Sequence, residues 1–191
     1  NKATARQKLG IPQDAYVFGT AGRLHPEKDQ ETLIKAFLKS YKKMPNSKLY
    51  IMGKGRLKND LQALITSLNM DDHIKLLGMI PNGPTYFKAF DCFVLPSKLE
   101  PFGMVLIEAM AADIPIISSN SGGALEIIEK NFLFNIGQVN ECSKLLIKMN
   151  TLTPNEKMNI IDCNNRSLDN KFSLTAFNKN FWAIAKTVNN I

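Results

Sequence analysis

Short apolar runs that alternate with longer stretches of helical period predict an α/β protein, a Rossmann-like parallel sheet flanked by helices. Two details sharpen that reading. Phe90, Cys92, Phe93, Val94 and Leu95 form a run that is apolar on both faces, as a central parallel strand is. Turn residues such as Gly22, Gly53 and Pro96 stand where the period switches from two to 3.6. Strands joined through helices at this rhythm pair in parallel by right-handed crossovers.

In chain order, residues 3–9 read as a short helix stopped by Gly10 and Pro12, and residues 16–21 as the first strand. Gly22 opens a loop before a helix over about 29–43, with Leu33, Ala36, Phe37 and Tyr41 on its inner face. A strand at 49–52 leads through Gly53-Lys54-Gly55 into a helix carrying Leu57, Leu61, Leu64, Ile65 and Leu68. Residues 73–77 form a third strand, 78–84 a loop and 85–89 a short helix that returns the chain to the strand beginning at Phe90. Pro96 ends that strand, residues 97–100 cross in the open, and Pro101 starts a helix over 102–112. A strand at 114–118, a short helix near 124–129 and a last strand at 132–134 follow. The remainder is helical over roughly 141–150, 154–167 and 173–189, the last with Phe177, Phe181, Ile184 and Val188 on one face. Neither repeats nor a flexible linker divide residues 1–191, so they read as a single domain.

A chain that is 45% hydrophobic and 21% charged has the composition of a globular domain with a sizeable core. No apolar run approaches the roughly 20 residues of a membrane span. Cys92, Cys142 and Cys163 lack metal-ligand spacing and read as reduced thiols of a cytoplasmic protein. The net charge of +7 favours anionic partners: a nucleotide diphosphate, or the inner face of an anionic membrane. Nucleic acid is disfavoured, because the cations are scattered and no arginine stripe or stacking aromatic motif accompanies them. The absence of an initiating Met suggests an excised piece.

Ligands of open α/β sheets bind where a strand ends and a helix begins, and helix N-termini favour anions. The turn at Pro96–Gly103 is such a place. There Gly103 lets a ligand approach the amides of Phe102, Gly103, Met104 and Val105. Arg23 and Lys28 lie in the loop after the first strand, beside the backbone of Gly22, where cations reach a pyrophosphate. Alone, they would read as two surface cations on a solvated loop. Glu100 and Glu108 stand eight residues apart, roughly 12 Å along a helix axis, beyond the 5–9.5 Å of paired glycosidase carboxylates. That spacing suits a long ligand with hydroxyls at both ends and negative charge between, as in a nucleotide sugar. For Glu108 the bland alternative is a helix-face salt bridge, and for Glu100 a charge near a helix N-terminus.

The block Glu100-Pro101-Phe102-Gly103-Met104-Val105-Leu106-Ile107-Glu108-Ala109-Met110-Ala111 resembles the Glu-x7-Glu motif of retaining glycosyltransferases with the GT-B fold, family four. Four further blocks resemble that family in the same order: Ala21-Gly22-Arg23-Leu24-His25-Pro26-Glu27-Lys28, Leu49-Tyr50-Ile51-Met52-Gly53-Lys54-Gly55, Leu95-Pro96-Ser97 and Ser121-Gly122-Gly123-Ala124-Leu125-Glu126. The resemblance covers roughly residues 5–185 and implies one lobe of a two-lobed GT-B enzyme, the C-terminal lobe that holds the nucleotide-sugar donor. It implies that Arg23 and Lys28 hold the donor diphosphate, that Glu100 contacts the transferred sugar, that Glu108 accepts from the ribose hydroxyls, and that the backbone near Ile80 meets the base. It further implies transfer to a glycan or glycolipid acceptor without a metal or other cofactor, and an acceptor site on an N-terminal lobe lying outside this chain. Pro101 stands where the family usually has glycine, Ala112-Asp113-Ile114-Pro115 where it has Ala-x-Gly-x-Pro, and Asn131-Phe132-Leu133-Phe134 in place of its longer Gly-Leu-Leu block.

Asp71-Asp72 reads as a turn rather than a metal site, His73 as structural, His25 as exposed, and Gly122 and Gly123 as caps of strand and helix, with lining of the donor pocket as their alternative. Three rivals stay open: a non-catalytic nucleotide-binding module, a sugar-nucleotide epimerase of similar fold, and an NAD-dependent oxidoreductase. The last is the poorest, since no Gly-x-Gly-x-x-Gly follows the first strand.

Overall fold

A computed structural model describes residues 1–176 and 178. Six strands, β1 (Tyr16–Ala21), β2 (Ser47–Met52), β3 (Ile74–Gly78), β4 (Cys92–Leu95), β5 (Ile116–Ser119) and β6 (Leu133–Phe134), form one sheet. Its order is β3-β2-β1-β4-β5-β6 and every pairing is parallel. The direction of winding reverses between β1 and β4, which creates a crevice at the carboxyl edge of the sheet.

Among the described residues it is flanked by the α-helices α1 (Lys2–Leu9), α2 (Gln30–Tyr41), α3 (Lys58–Ser67), α4 (Met104–Met110), α5 (Ala124–Ile127), α6 (Val139–Asn150) and α7 (Pro154–Ser167). Residues 85–89, expected as a short helix, are wound as 3₁₀ turns that begin earlier, over Gly83–Ala89. Thr153 and Glu156 close a reciprocal capping box on α7, which fixes its start at Pro154. The helix expected over 173–189, with Phe177, Phe181, Ile184 and Val188, lies almost wholly outside the described residues.

Each face of the sheet has its own core. Val17, Phe93 and Leu95 pack with Leu106, Met110 and Ile127 on one side, whereas Phe18, Leu49, Ile51, Cys92 and Val94 pack with Phe37, Ile65 and Leu146 on the other. Successive residues of β4 thus serve opposite cores, which is why its run is continuously apolar. Phe90 is not in that strand. It ends the 3₁₀ segment, and its ring occupies the space above Gly19 so closely that a Cβ there would lie 2.1 Å from a ring carbon.

At the amino edge, behind the crevice, the core holds an ionic cluster. Arg6 is buried and donates to the carbonyls of Ala89, Pro12, Gln13 and Ala15, and to Asp91 Oδ2 at 2.6 Å. Asp91 also accepts from the Val17 amide and pairs with Lys2 and Lys157. Burial raises the Asp91 pKa, but the hydrogen bonds from Lys2 and Val17 and the charges of Lys2 and Lys157 outweigh it, so the carboxyl titrates below its usual range. A carboxylate with a depressed native pKa stabilises the fold fully above its unfolded pKa and loses that contribution as pH falls through the native value. Asp91→Asn should therefore lower the melting temperature at pH 7 and flatten its acid decline. Arg6→Met leaves Asp91 its contacts with Lys2, Lys157 and the Val17 amide but removes the donor to four carbonyls, and should cost about 1–3 kcal/mol in urea unfolding at neutral pH.

Candidate functional site

A cavity of about 640 Å³ opens at the crevice between β1 and β4. The loop after β1 contributes Gly22, Arg23 and Lys28, and the loop after β3 contributes Ile80. The opposite wall carries Glu100, Phe102, Gly103, Met104, Val105 and Glu108. All ten residues that the sequence singled out therefore face one space, although β3 and α4 are separated by two intervening strands in the sheet.

Backbone contacts too close for any side chain hold these loops together. A Cβ on Gly53 would lie 1.8 Å from the Gly22 carbonyl oxygen, and one on Gly123 would lie 1.9 Å from that of Phe102. Hydrogen bonds run alongside: Gly22 N–H to Met52 O, Gly53 N–H to Gly78 O and Gly123 N–H to Glu100 O, at 2.7–3.0 Å. Gly122 and Gly123 thus seat the Glu100–Phe102 turn rather than merely capping their own elements. They do not line the cavity.

The same contacts move the helix start. Pro101 does not begin a helix, because the Glu100 carbonyl is taken by Gly123 and Gly103 adopts φ 89°, outside helical geometry. Helix α4 begins at Met104 instead. The amides of Phe102, Gly103, Met104 and Val105 have no acceptor among the described residues, so the donor groups expected there do stand open. A Cβ on Gly103 would press on Ile127 and Leu106 at 3.2 Å, so internal packing as well as φ demands the glycine. With residues 100–103 outside the helix, the axial 12 Å estimate for Glu100 and Glu108 no longer applies.

Glu100 is buried, not on an open crossing. Its Oε2 receives Lys28 Nζ at 2.5 Å and Ser97 Oγ at 3.4 Å. The loop that carries Lys28 is tied to the same segment, since the amides of Lys98 and Leu99 donate to Glu27 O and Lys98 Nζ lies 3.4 Å from Asp29 Oδ1. Arg23 is far more exposed and pairs loosely with Glu27 at 3.6 Å, while its carbonyl accepts from the buried Gln30 side chain at 3.0 Å. Glu108 has no ion-pair partner among the described residues, against the salt-bridge alternative, and burial pushes its carboxyl above the usual range. Met79, Phe102 and Met104 form an exposed apolar rim.

Several lining residues were given no role in the sequence reading: Met52, Lys54, Gly83, Pro84 and Phe87. Lys54 had a visible cue, as it lies between two glycines immediately after a strand. His25 is half-buried, with Nδ1 3.4 Å from Glu27 Oε2, rather than exposed. His73 packs on Tyr41 and meets its hydroxyl at 3.0 Å, and Asp71 accepts from Gln62 and Thr66 in a turn, as expected of structural residues. Among the described residues no cluster of three or more His, Cys, Asp or Glu is placed to hold a metal ion, and no helix is long and apolar enough to cross a membrane.

A doubly wound parallel sheet with cations on one wall of its crevice and open helix amides on the other defines a Rossmann-like lobe with an anion-receptive site. Residues 1–166 match the family model of the glycosyl transferases group 1, and the chain belongs to that family. It is 40% identical over 120 residues to an uncharacterized glycosyltransferase of Methanocaldococcus jannaschii, an alignment that covers 63% of this chain and 30% of the relative. It is 30% identical over 171 residues to the UDP-Gal:alpha-D-GlcNAc-diphosphoundecaprenol alpha-1,3-galactosyltransferase of Escherichia coli, covering 87% of this chain and 44% of that enzyme. The fold superposes with a TM-score of 0.82 on Anabaena HepE crystallised with UDP and glucose, at 26% identity over 99% of this chain and 52% of that one. This chain thus spans less than half the length of the curated relatives it matches, and its sheet has the architecture of one lobe of the GT-B fold.

Because the raised Glu108 pKa means that the folded state resists ionising it, its charge costs stability once pH rises above the unfolded value. Glu108→Gln should raise the melting temperature at pH 7 and leave it nearly unchanged at pH 3, as scanning calorimetry would show.

Proposed function

We propose that this chain is the C-terminal, donor-binding lobe of a retaining glycosyltransferase that moves a sugar from a nucleoside diphosphate sugar to a hydroxyl of a glycan or glycolipid. The convergence of Arg23, Lys28, the open amides and two carboxylates on one cavity carries this reading. Its support is that the chain belongs to a glycosyltransferase family, and that the similar HepE fold was crystallised with UDP and glucose.

In this reading the diphosphate lies between the Arg23–Lys28 loop and the amides of Gly103, Met104 and Val105. Preorganised charges there offset the negative charge that grows on the diphosphate as the bond from the anomeric carbon to its oxygen breaks and the acceptor oxygen bonds that carbon. These groups act without a metal. Glu108 accepts from the ribose hydroxyls, the backbone at Ile80 meets the base, and Glu100 addresses the transferred sugar. Lys28 reports on both, since its ammonium holds Glu100 in place while facing the phosphates. An N-terminal lobe across the cleft supplies the acceptor site, so the isolated lobe binds donor weakly and turns over nothing. The protein works in the cytoplasm, against the inner face of a membrane when its acceptor is a lipid.

Calorimetric titration with UDP, GDP and ADP in the presence of EDTA tests donor binding. One diphosphate should bind, and Arg23→Ala and Glu108→Ala should each weaken it by about tenfold or more, the worth of a charge-assisted hydrogen bond. Affinity that vanished with EDTA would refute the metal-free reading. In the full-length protein Glu100→Gln should abolish transfer and keep nucleotide binding; retained transfer would favour a non-catalytic role for this residue, and transfer by the isolated lobe would contradict the two-lobe requirement.

A further inference from the structure

Of the three cations that line the cavity, two already have carboxylate partners: Lys28 pairs with Glu100 and Arg23 with Glu27. The third, Lys54, has none among the described residues, and its side chain is exposed at the end of β2. Its backbone, by contrast, is fixed. The Lys54 carbonyl accepts the Leu24 amide at 3.0 Å, the preceding Gly53 donates to Gly78 O at 2.7 Å, and the contact of Gly53 with the Gly22 carbonyl leaves no room for the strand end to shift.

That anchoring sets what Lys54 reaches. β2 lies beside β1, about one strand spacing of 4.8 Å from the Gly22–Lys28 loop, and a lysine stem of four carbons is longer than that gap. The loop after β3, where the base is placed in the proposed function, is its neighbour on the other side, but it presents backbone and apolar side chains, Met79 and Ile80, and no anion. Glu27, in the loop on the β1 side, is engaged by Arg23 and His25, and no carboxylate among the described residues lies within ion-pair distance of the Lys54 ammonium, which leaves it open to an anionic ligand.

We infer that Lys54 is a third cation for the diphosphate of the donor, binding it from the β2 side, opposite the amides of Gly103, Met104 and Val105. The inference rests on the donor-lobe reading and adds a residue to it. Since Lys54 is not tied to a carboxylate, its charge is available to the ligand without breaking an existing pair, so it contributes to diphosphate affinity more directly than Lys28. Its substitution leaves the fold intact, because only its carbonyl takes part in packing.

The test uses the full-length protein that carries this chain, titrated calorimetrically with UDP, GDP and ADP and then with the nucleoside of whichever diphosphate binds. Lys54→Ala should weaken the diphosphate by about tenfold and the nucleoside by less than about twofold, and Lys54→Arg should recover most of the loss. The slope of log affinity against log salt should also flatten in Lys54→Ala. Unchanged diphosphate affinity, or equal losses for nucleoside and diphosphate, would overturn the inference and leave the donor lobe standing. A wild-type protein that bound none of the three diphosphates would overturn the donor-lobe reading itself, and this inference with it.

Discussion

Backbone packed directly on backbone, with no side chain between, is the constraint on which the carboxyl edge of this sheet depends. Gly53 rests on the Gly22 carbonyl and Gly123 on that of Phe102, each at a separation that excludes even a methyl group. Loops are ordinarily the least fixed part of a fold. Here the loops after β1, β2 and β4 are stitched to one another and to the loop after β5, so the backbone from which Arg23, Lys28 and Lys54 project is fixed, as is that of the α4 amides. The charge arrangement follows from the packing and was not assembled separately from it.

The same economy explains how the cavity tolerates its own electrostatics. Glu100 is buried, and an isolated buried carboxylate would be costly. Lys28 supplies the counter-charge and Ser97 a further donor, so the pair is satisfied in the absence of any ligand. Glu108 has no such relief and carries the raised pKa that goes with it. One carboxylate is therefore held by the protein, while the other has no ion-pair partner among the described residues.

Much of this was legible in the sequence because periodicity reports burial. Phe93 and Val94 announced a strand covered on both faces, and Leu33, Ala36 and Phe37 announced the inner face of α2. The residues that meet at the cavity were legible as types and order: cations after a first strand, glycine and carboxylates around a strand-to-helix joint. What periodicity cannot report is contact between distant segments. Pro101 looked like a helix start because the partner of the Glu100 carbonyl, Gly123, lies 23 residues on. Phe90 looked like part of β4 because its apolar character is the same whether it fills the notch over Gly19 or continues the strand. Arg6 and Asp91 carried no sign of their pairing, being 85 residues apart, and an arginine in a short polar helix reads as a surface residue until its burial is seen.

The division between a frame whose Gly53 and Gly123 admit no side chain and a rim that faces solvent has a consequence for divergence. Met79, Phe102 and Met104 lie around the opening with large exposed side chains, and none of the backbone contacts that position the charges passes through those side chains. Mutational drift can thus rewrite the rim while the frame stays put. A library randomised at these three positions would search new ligand shapes on an unmoved backbone frame, so the fold offers evolvability at the mouth and withholds it at the glycines beneath.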